Sequence, residues 1–337
     1  MSDTFASLRL KKNEDKRLRA GHLWIYSNEV DTASTPLKSL APGQCVNVES
    51  ANGRPLGSAY VNPHSLISAR LYSTHANQAF DRGFIEQRLA HALVWRERCF
   101  DSPYYRLCFG ESDFLPGVVI DRFADVLVVQ LTTAGSEAHK APILAALQNL
   151  LHPSAIVLRN DSGARELEQL DRYIDVVVGQ VAEPVSLEEN GVNFHALPLT
   201  GQKTGWFYDH RTNRARVMHY ARGQRVLDVF SYTGAWGISA LAAGATAAGF
   251  VDSSAPALHL IEQHIARNKL AQPYTLHKGD AFAVLAQLAG AGERYDIVIV
   301  DPPAFVKRRK DLPQGLRAYQ EINRLAMALL SDDGLLL

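Results

Sequence analysis

A chain of 337 residues carries 35 Lys and Arg against 35 Asp and Glu, a formal net charge of zero, with 47% hydrophobic and 21% charged residues. This composition builds a real core and excludes an intrinsically disordered chain, and with no global basic field any nucleic-acid binding must come from local patches. Cys45, Cys99 and Cys108 show no metal-ligand spacing and fit a reducing compartment; no apolar signal region or membrane-length apolar run is present. The expectation is a soluble, cytoplasmic protein of two or three domains, with no metal and no membrane partner.

In chain order, Leu8 to Leu10 reads as a strand, Asn13 to Arg19 as a short charged helix, and Gly21 to Tyr26 as another strand. Further strands fall at Cys45 to Val48, Leu56 to Val61 and Ser68 to Tyr72, with Asn52-Gly53 a hairpin signal. Several short strands and one small helix predict a compact β barrel. Lys11, Lys12, Arg17 and Arg19, with Arg9 and Lys16, form a basic cluster near Trp24 and Tyr26. Such a cluster can hold a phosphate backbone and stack a base. A solvated helix beside core aromatics reads the same residues equally well. Arg19-Ala20-Gly21-His22-Leu23-Trp24-Ile25-Tyr26-Ser27-Asn28-Glu29 resembles the start of the PUA domain, an RNA-binding β barrel. The resemblance is to bacterial 23S ribosomal RNA methyltransferases that make 5-methylcytosine. It favours RNA contacts from Lys11, Lys12, Arg17, Arg19 and Trp24.

Phe80 to Cys99 has helical periodicity, Val118 to Asp121 and Val126 to Leu131 are strands, and Ser136 to Leu151 is an amphipathic helix with Ser136 as its N-cap. A strand at Ala155 to Arg159 and a short helix around Arg165 to Leu170 complete a small α+β module. Gly110 to Arg122, reading G-E-S-D-F-L-P-G-V-V-I-D-R, resembles the linker signature of the same family. Its acids either contact substrate or cap turns and fix the junction between domains.

Pro184 to Leu199 reads as a hairpin around Asn190-Gly191. The following loop carries Lys203, Thr204, Phe207, Tyr208, Asp209, His210 and Arg211. Its charges can cover a zwitterionic methionine tail, and its aromatics can pack on an adenine. It resembles the K-T-G-F/W-F-x-D-x-R segment that the family places against its cofactor. His210 is left without a role.

Arg225 to Asp252 reads as strand, loop, helix and strand, with Asp228 near the end of the first strand and Asp252 closing the second. In open parallel sheets ligands bind beyond the carboxyl ends of the strands, and an acid about 20 residues on can accept ribose hydroxyls. Gly234 and Gly237 bracket a turn, and no G-x-G-x-x-G is present, so the pattern is not the dinucleotide fingerprint. D-x-F-S-Y-T-G resembles the first motif of S-adenosylmethionine-dependent methyltransferases. That resemblance implies cofactor contacts from Asp228, Phe230, Ser231, Tyr232, Thr233, Gly234, Asp252 and Ser253. Ser253 or Ser254 can cap the next helix, which carries Pro256 in its first turn. Tyr274 to His277 is a strand leading to Asp280 and Ala281, which by resemblance flank the adenine; an N-cap role for Asp280 is compatible with this.

Tyr295 to Val300 is an apolar strand of the buried parallel type, ending in Asp301-Pro302-Pro303-Ala304-Phe305. The prolines stiffen the loop, Asp301 can hold the amino edge of a base, and Phe305 can stack on it. Lys307, Arg308 and Arg309 follow, with Lys310, as a phosphate patch or a plain solvated loop. Gly315 to Leu330 is a helix, Asp333-Gly334 a turn, and Leu335 to Leu337 the start of a strand.

Together these motifs imply a multidomain fold. Residues 1–75 form a PUA-like β barrel, 76–185 a central α+β linker module, and 186–337 a Rossmann-like α/β class I methyltransferase domain whose remaining strands are expected beyond Leu337. The implied activity is S-adenosylmethionine-dependent formation of 5-methylcytosine in 23S ribosomal RNA of the large subunit. A homodimer is compatible with the chain. In the family the nucleophilic cysteine lies just beyond the last strand begun here, so none of Cys45, Cys99 and Cys108 is assigned to it. The alternatives are methylation of a guanine nitrogen, which needs no cysteine, and a non-catalytic RNA-binding or ribosome assembly factor.

Overall fold

The computed structural model describes residues 5–306 and 308–337; Lys307, one of the expected phosphate contacts, lies outside the described residues. The chain divides into two compact units: residues up to Val185 together with Ala196–Tyr208, and Ser186–His195 together with Asp209–Leu337.

The first unit opens with β1 (Ala6–Arg9), α1 (Lys16–Arg19), β2 (Trp24–Tyr26), β3 (Cys45–Glu49), β4 (Pro55–Val61) and β5 (Ile67–Ser73). The strands form one sheet in the order β1-β3-β4-β5-β2. Leu8, Ile25, Val46, Val48, Val61 and Leu71 fill its core. Gly53, at φ +76°, makes the turn between β3 and β4 that Asn52-Gly53 announces. The expected helix from Asn13 shrinks to one turn, because Asn13 sits at φ 73° and ends the preceding turn instead.

The chain continues with α2 (Arg82–Cys99), β6 (Tyr104–Phe109), β7 (Val118–Phe123), β8 (Val126–Leu131), α3 (Ala134–Ala138), α4 (Lys140–Leu151), β9 (Ala155–Asn160) and β10 (Tyr173–Val178). A second sheet runs β10-β9-β8-β7-β6. Ile85 and Leu89 of α2 and Ile143 and Leu147 of α4 pack on Leu107, Ile120, Leu127 and Val129. Tyr60 and Tyr72 from the first sheet enter the same core. Glu168 ties the two sheets together: its carboxylate accepts from Arg70 (2.9 Å), Asn62 (2.8 Å), Ser65 (3.2 Å) and the Ala134 amide (3.2 Å).

The single helix expected from Ser136 to Leu151 is two. Its N-cap is Thr133, whose hydroxyl accepts from the Ser136 amide, and the backbone breaks at His139. Ser136 is therefore inside the first turn, reaching back to the Thr133 amide as the other half of a capping box. The short helix near Arg165 is a 3₁₀ segment, Gly163–Glu168. In the linker motif, Asp113 accepts from Arg96 through both oxygens (2.8 and 2.7 Å) and from the Phe109 amide (2.7 Å), so this acid holds the turn.

The hairpin of β11 (Val185–Glu189) and β12 (Val192–Ala196) turns on Asn190 (φ 53°) and Gly191 (φ 78°). Beyond it the second unit contains α5 (Arg211–Ala221), β13 (Arg225–Val229), α6 (Ala235–Ala242), β14 (Ala247–Asp252), α7 (Ala255–Arg267), β15 (Tyr274–Lys278), α8 (Ala281–Gly290), β16 (Tyr295–Val300), α9 (Leu312–Met327) and β17 (Leu330–Leu336). All five strands of its sheet are parallel, in the order β15-β14-β13-β16-β17. Strand order reverses direction at β13, and such a switch point opens a crevice beyond the carboxyl ends. Helix α9 stops at Met327, three residues before the expected end. Asp333-Gly334 is not a turn between elements: Leu330 pairs with Tyr295 and Leu335 with Ile297, so Ser331 to Gly334 bulge out of β17.

Candidate active site

Register brings four carboxylates to one edge of the parallel sheet. Asp228 pairs with Phe250 and with Ile299 on its two neighbours, which sets Asp252 and Asp301 each two residues further along. Asp280 follows the end of β15, the strand beyond β14. Across the sheet the order is Asp280, Asp252, Asp228, Asp301.

Asp228 is fully buried. Its Oδ2 accepts from the Gly237 amide at 3.0 Å, and its Oδ1 has no partner. Burial, followed by the repulsion of Asp301 and Asp252, pushes its pKa up to about 7 despite the Gly237 hydrogen bond. An orphaned buried carboxylate oxygen flanked by two further acids is a receptor for a cation.

The loop from β13 to α6 is bent around this point. Phe230 (φ 62°), Tyr232 (φ 46°) and Gly234 (φ 79°) are left-handed, and a side chain on Gly234 would come within 2.8 Å of Ile261. Gly237 lies within the first turn of α6 rather than closing the loop; a Cβ there would lie 2.4 Å from the Phe250 ring. The Ser231 amide donates to Val251 O (3.0 Å), and Thr233 Oγ1 is buried without a partner. Asp252 receives the Tyr232 amide on Oδ2 and the Ser254 amide on Oδ1, both at 2.8 Å, which fixes its carboxylate and still leaves lone pairs on both oxygens. Ser254, not Ser253, caps α7. Asp280 caps α8 through Oδ1 on the Ala283 amide (3.1 Å), and Ala281 is buried beside it.

His264 of α7 braces the loop. Its Nδ1 donates to Thr233 O at 3.0 Å, and its Nε2 accepts from the His195 amide at 2.9 Å. Burial holds its pKa down at about 4, so the ring is neutral and its tautomer fixed.

Asp301 is held from the α5–α6 side. Trp236 Nε1 donates to its Oδ2 at 3.3 Å, and His210 Nε2 lies 3.5 Å from the same oxygen. The two rings are 5.5 Å apart, and His210 Nδ1 is buried without a partner. Beside them is a cavity of about 370 Å³ that also reaches Asn213, Arg216 and Tyr220 of α5. Of this group the sequence had singled out only Asp301, with His210 unassigned. The Phe305 ring packs on Tyr319 (4.8 Å), Phe282 (5.9 Å) and Phe230 (6.3 Å), and its amide donates to Tyr319. Pro302 is half-buried; Pro303, Arg308 and Arg309 are exposed.

Lys203, Thr204, Phe207 and Tyr208 belong to the first unit, Asp209 and Arg211 to the second. Thr204 is buried and donates to Asp121 at 2.6 Å; Tyr208 donates to Arg122 O at 2.8 Å; the Lys203 ammonium sits 4.2 Å over the Phe207 ring. Asp209 is exposed and Arg211 buried. Near the N-terminus, Lys11 donates to Asn28 O (2.8 Å), Arg17 pairs with Glu29 (2.7 Å), Arg19 with Asp15 (2.5 Å), and the Trp24 indole donates to Glu111 (2.6 Å). Lys12 is exposed. Among the described residues no cluster of His, Cys, Asp and Glu could hold a metal ion, and no helix is long and apolar enough to cross a membrane.

A family model described as an S-adenosylmethionine-dependent methyltransferase matches residues 121–337, and one described as a PUA-like domain matches residues 8–74. The chain belongs to the S-adenosylmethionine-dependent methyltransferases. Among curated relatives, the "Ribosomal RNA large subunit methyltransferase I" of Klebsiella pneumoniae strain 342 is 37% identical over 100% of this chain and 85% of its own length. The protein of the same name from Alteromonas mediterranea is 36% identical over 98% and 84%. Among solved structures, a Streptococcus mutans SAM-dependent methyltransferase covers 98% of this chain and 84% of its own at a TM-score of 0.81. At 24% identity that likeness shows the fold. S-adenosylmethionine is the methyltransferase's cofactor, and the orphaned Asp228 oxygen, the left-handed turn at the closely packed Gly234 and the braced Asp252 suit a cationic nucleoside.

Proposed function

We propose that this methyltransferase modifies ribosomal RNA of the large subunit and that its product is 5-methylcytosine in 23S RNA. The relatives' shared name and the PUA-like match support the RNA class. The observation that carries the site reading is the row of acids on adjacent parallel strands, with one oxygen of Asp228 unpartnered at its centre.

In this reading Asp228 takes the ammonium of the methionine moiety, and Asp252 with Ser253 takes the ribose hydroxyls. Asp280 and the Ala281 backbone flank the adenine, and Phe230, Ser231, Tyr232, Thr233 and Gly234 form the turn beneath the cofactor. Asp209 and Arg211 cover the methionine end, while within the first unit Thr204 and Tyr208 hold their own loop through Asp121 and Arg122. Bound S-adenosylmethionine supplies a methyl group on a sulfonium. Asp301, oriented by Trp236 and His210, accepts from the amino edge of the target base beside Pro302 and Pro303. Arg308 and Arg309 take phosphates. Lys11, Lys12, Arg17, Arg19 and Trp24 form the RNA-facing patch of the barrel, and the protein works in the cytoplasm on residues 1–75, 76–185 and 186–337 as three domains.

Carbon 5 of cytosine becomes a nucleophile only after a thiolate adds at carbon 6. Cys45, Cys99 and Cys108 all belong to the first unit, and none is assigned as that thiol. The alternative base is guanine, whose nitrogen lone pair attacks directly and needs no thiol. The test is methyl transfer from labelled S-adenosylmethionine to large-subunit RNA lacking the modification, followed by nucleoside mass spectrometry. Labelled 5-methylcytosine is expected; labelled methylguanosine overturns the choice of base, and RNA binding without cofactor binding overturns the enzyme reading.

A further inference from the structure

The first unit contains a nucleophile and a base that methyl transfer does not use. Cys45 lies on β3 opposite Tyr60, half-buried at the margin of the core shared by the two sheets. Its Sγ is 3.7 Å from Nε2 of His139. His139 occupies the break between α3 and α4, where a single helix was expected. Its Nδ1 is 2.8 Å from the carbonyl oxygen of Gly135, which can only accept, so Nδ1 carries the ring proton and Nε2 is left to face the thiol. The Phe80 ring meets the imidazole edge-on at 5.1 Å and holds its plane. Thiol, base and the group that orients the base thus stand in the geometry that activates a nucleophile.

We propose that Cys45 and His139 form a reactive thiol pair, a site of oxidation by hydroperoxides and of alkylation by electrophiles. Three surroundings separate Cys45 from the other two cysteines. Cys108 is fully buried with its Sγ on Val118 O at 3.3 Å, and burial pushes its pKa up. Cys99 is exposed at the end of α2. Burial opposes ionisation of Cys45 most strongly, but the contacts with His139, together with smaller ones from Tyr72 and the Phe80 backbone, outweigh it in sum and hold the thiol below its ordinary pKa. The Tyr72 hydroxyl gives its proton to Gln78 O at 2.6 Å, which leaves His139 as the group that takes the thiol proton. Conversely, burial disfavours the imidazolium, and the contacts with Cys45 and the Gly135 carbonyl together more than restore it.

In the oxidation step the thiolate sulfur attacks one peroxide oxygen. The S–O bond forms and the O–O bond breaks. The departing alkoxide or hydroxide takes the proton from His139, so sulfur is oxidised by two electrons to a sulfenic acid and the peroxide is reduced to an alcohol or water.

The test compares three thiols in one folded chain. Native protein receives limiting iodoacetamide at pH 7, and peptide mass spectrometry follows each cysteine with time. Cys45 is expected to label about tenfold faster than Cys99, with Cys108 protected. Equal or faster labelling of Cys99 overturns the proposal, and this arm needs no variant. His139→Gln, checked for folding by circular dichroism, is expected to slow Cys45 about tenfold without changing Cys99; an unchanged Cys45 rate overturns the role of the histidine. Hydrogen peroxide followed by dimedone is expected to place an adduct on Cys45 alone, and an adduct on Cys99 without one on Cys45 overturns the oxidation step.

Discussion

The indole N–H of Trp236 donates to Asp301 Oδ2 across 3.3 Å, joining the first turn of α6 to the end of β16. Asp301 is otherwise half-exposed at the mouth of the cavity. Its carboxylate therefore depends on Trp236 and His210 for its direction. Trp236→Phe keeps the ring and removes the donor. Hydrogen bonds to charged groups contribute about 1.5–3 kcal/mol, so methyl transfer is expected to fall about tenfold or more. Cofactor affinity, measured by calorimetry, should stay within about twofold. An equal loss of both would place Trp236 in cofactor binding instead.

Asp228 makes the cofactor-free protein pH-sensitive. Its folded pKa of about 7 lies above the ordinary carboxylate value of 3.8, so the folded chain binds the proton more tightly than the unfolded one. The stabilisation it provides is complete below pH 3.8 and is lost as pH rises through 7, about 4 kcal/mol over the whole interval. Asp228→Asn removes the buried charge. The variant is expected to be more stable than the parent at pH 8 in urea unfolding, with the difference shrinking at pH 5, and to bind S-adenosylmethionine at least tenfold more weakly.

The same carboxylate predicts the pH dependence of cofactor affinity. A cation beside Asp228 favours its ionised form. Binding should therefore weaken as pH falls below about 7 and release a proton near that pH. Calorimetry in two buffers of different ionisation enthalpy measures the proton directly, and no buffer dependence at pH 6.5 would remove Asp228 from the ammonium site.

Gly237 is close to the Phe250 ring, with only 2.4 Å available to a Cβ. Gly237→Ala forces α6 away from β14 and disturbs the amide that holds Asp228. Overpacking of this kind costs about 1–3 kcal/mol, to be read from denaturant midpoints. Gly290→Ala, where nothing lies within 4 Å, is the control and should be neutral or slightly stabilising.

Glu168 is 5% exposed and Arg70 8% exposed, and their pairing holds the first two sheets in one unit. Glu168→Ala leaves the buried Arg70 guanidinium only its 3.7 Å approach to Glu111 and the Asn62 amide only the residue 168 backbone carbonyl. A broken buried pair costs about 3–5 kcal/mol, so the variant should unfold at markedly lower urea.

The elements with a regular apolar signature were legible in the chain. Strands β13, β14 and β16 read as apolar runs, and Asp228, Asp252 and Asp301 mark their ends. Helix α5 was not legible, for a physical reason. Its buried face is Arg211, Arg214, Val217 and Ala221, and Arg214 is buried because Glu189 of the hairpin meets it at 2.5 and 2.9 Å. A buried ion pair looks like a polar surface until both partners are placed. The break at His139 did carry a signal: Pro142 stands in the first turn of α4, where a proline starts a helix but cannot continue one.

By itself, the chain determined that a PUA-like domain precedes a methyltransferase, and which acids follow the strands. Those depend on local periodicity and on motifs a few residues long. The tertiary structure alone decided which acid carries a proton, because burial and the nearness of Asp252 and Asp301 set the Asp228 ionisation. It also decided what surrounds Asp301: Trp236 and His210 lie 65 and 91 positions earlier, and only the crossover of parallel strands brings them within hydrogen-bonding reach of its carboxylate.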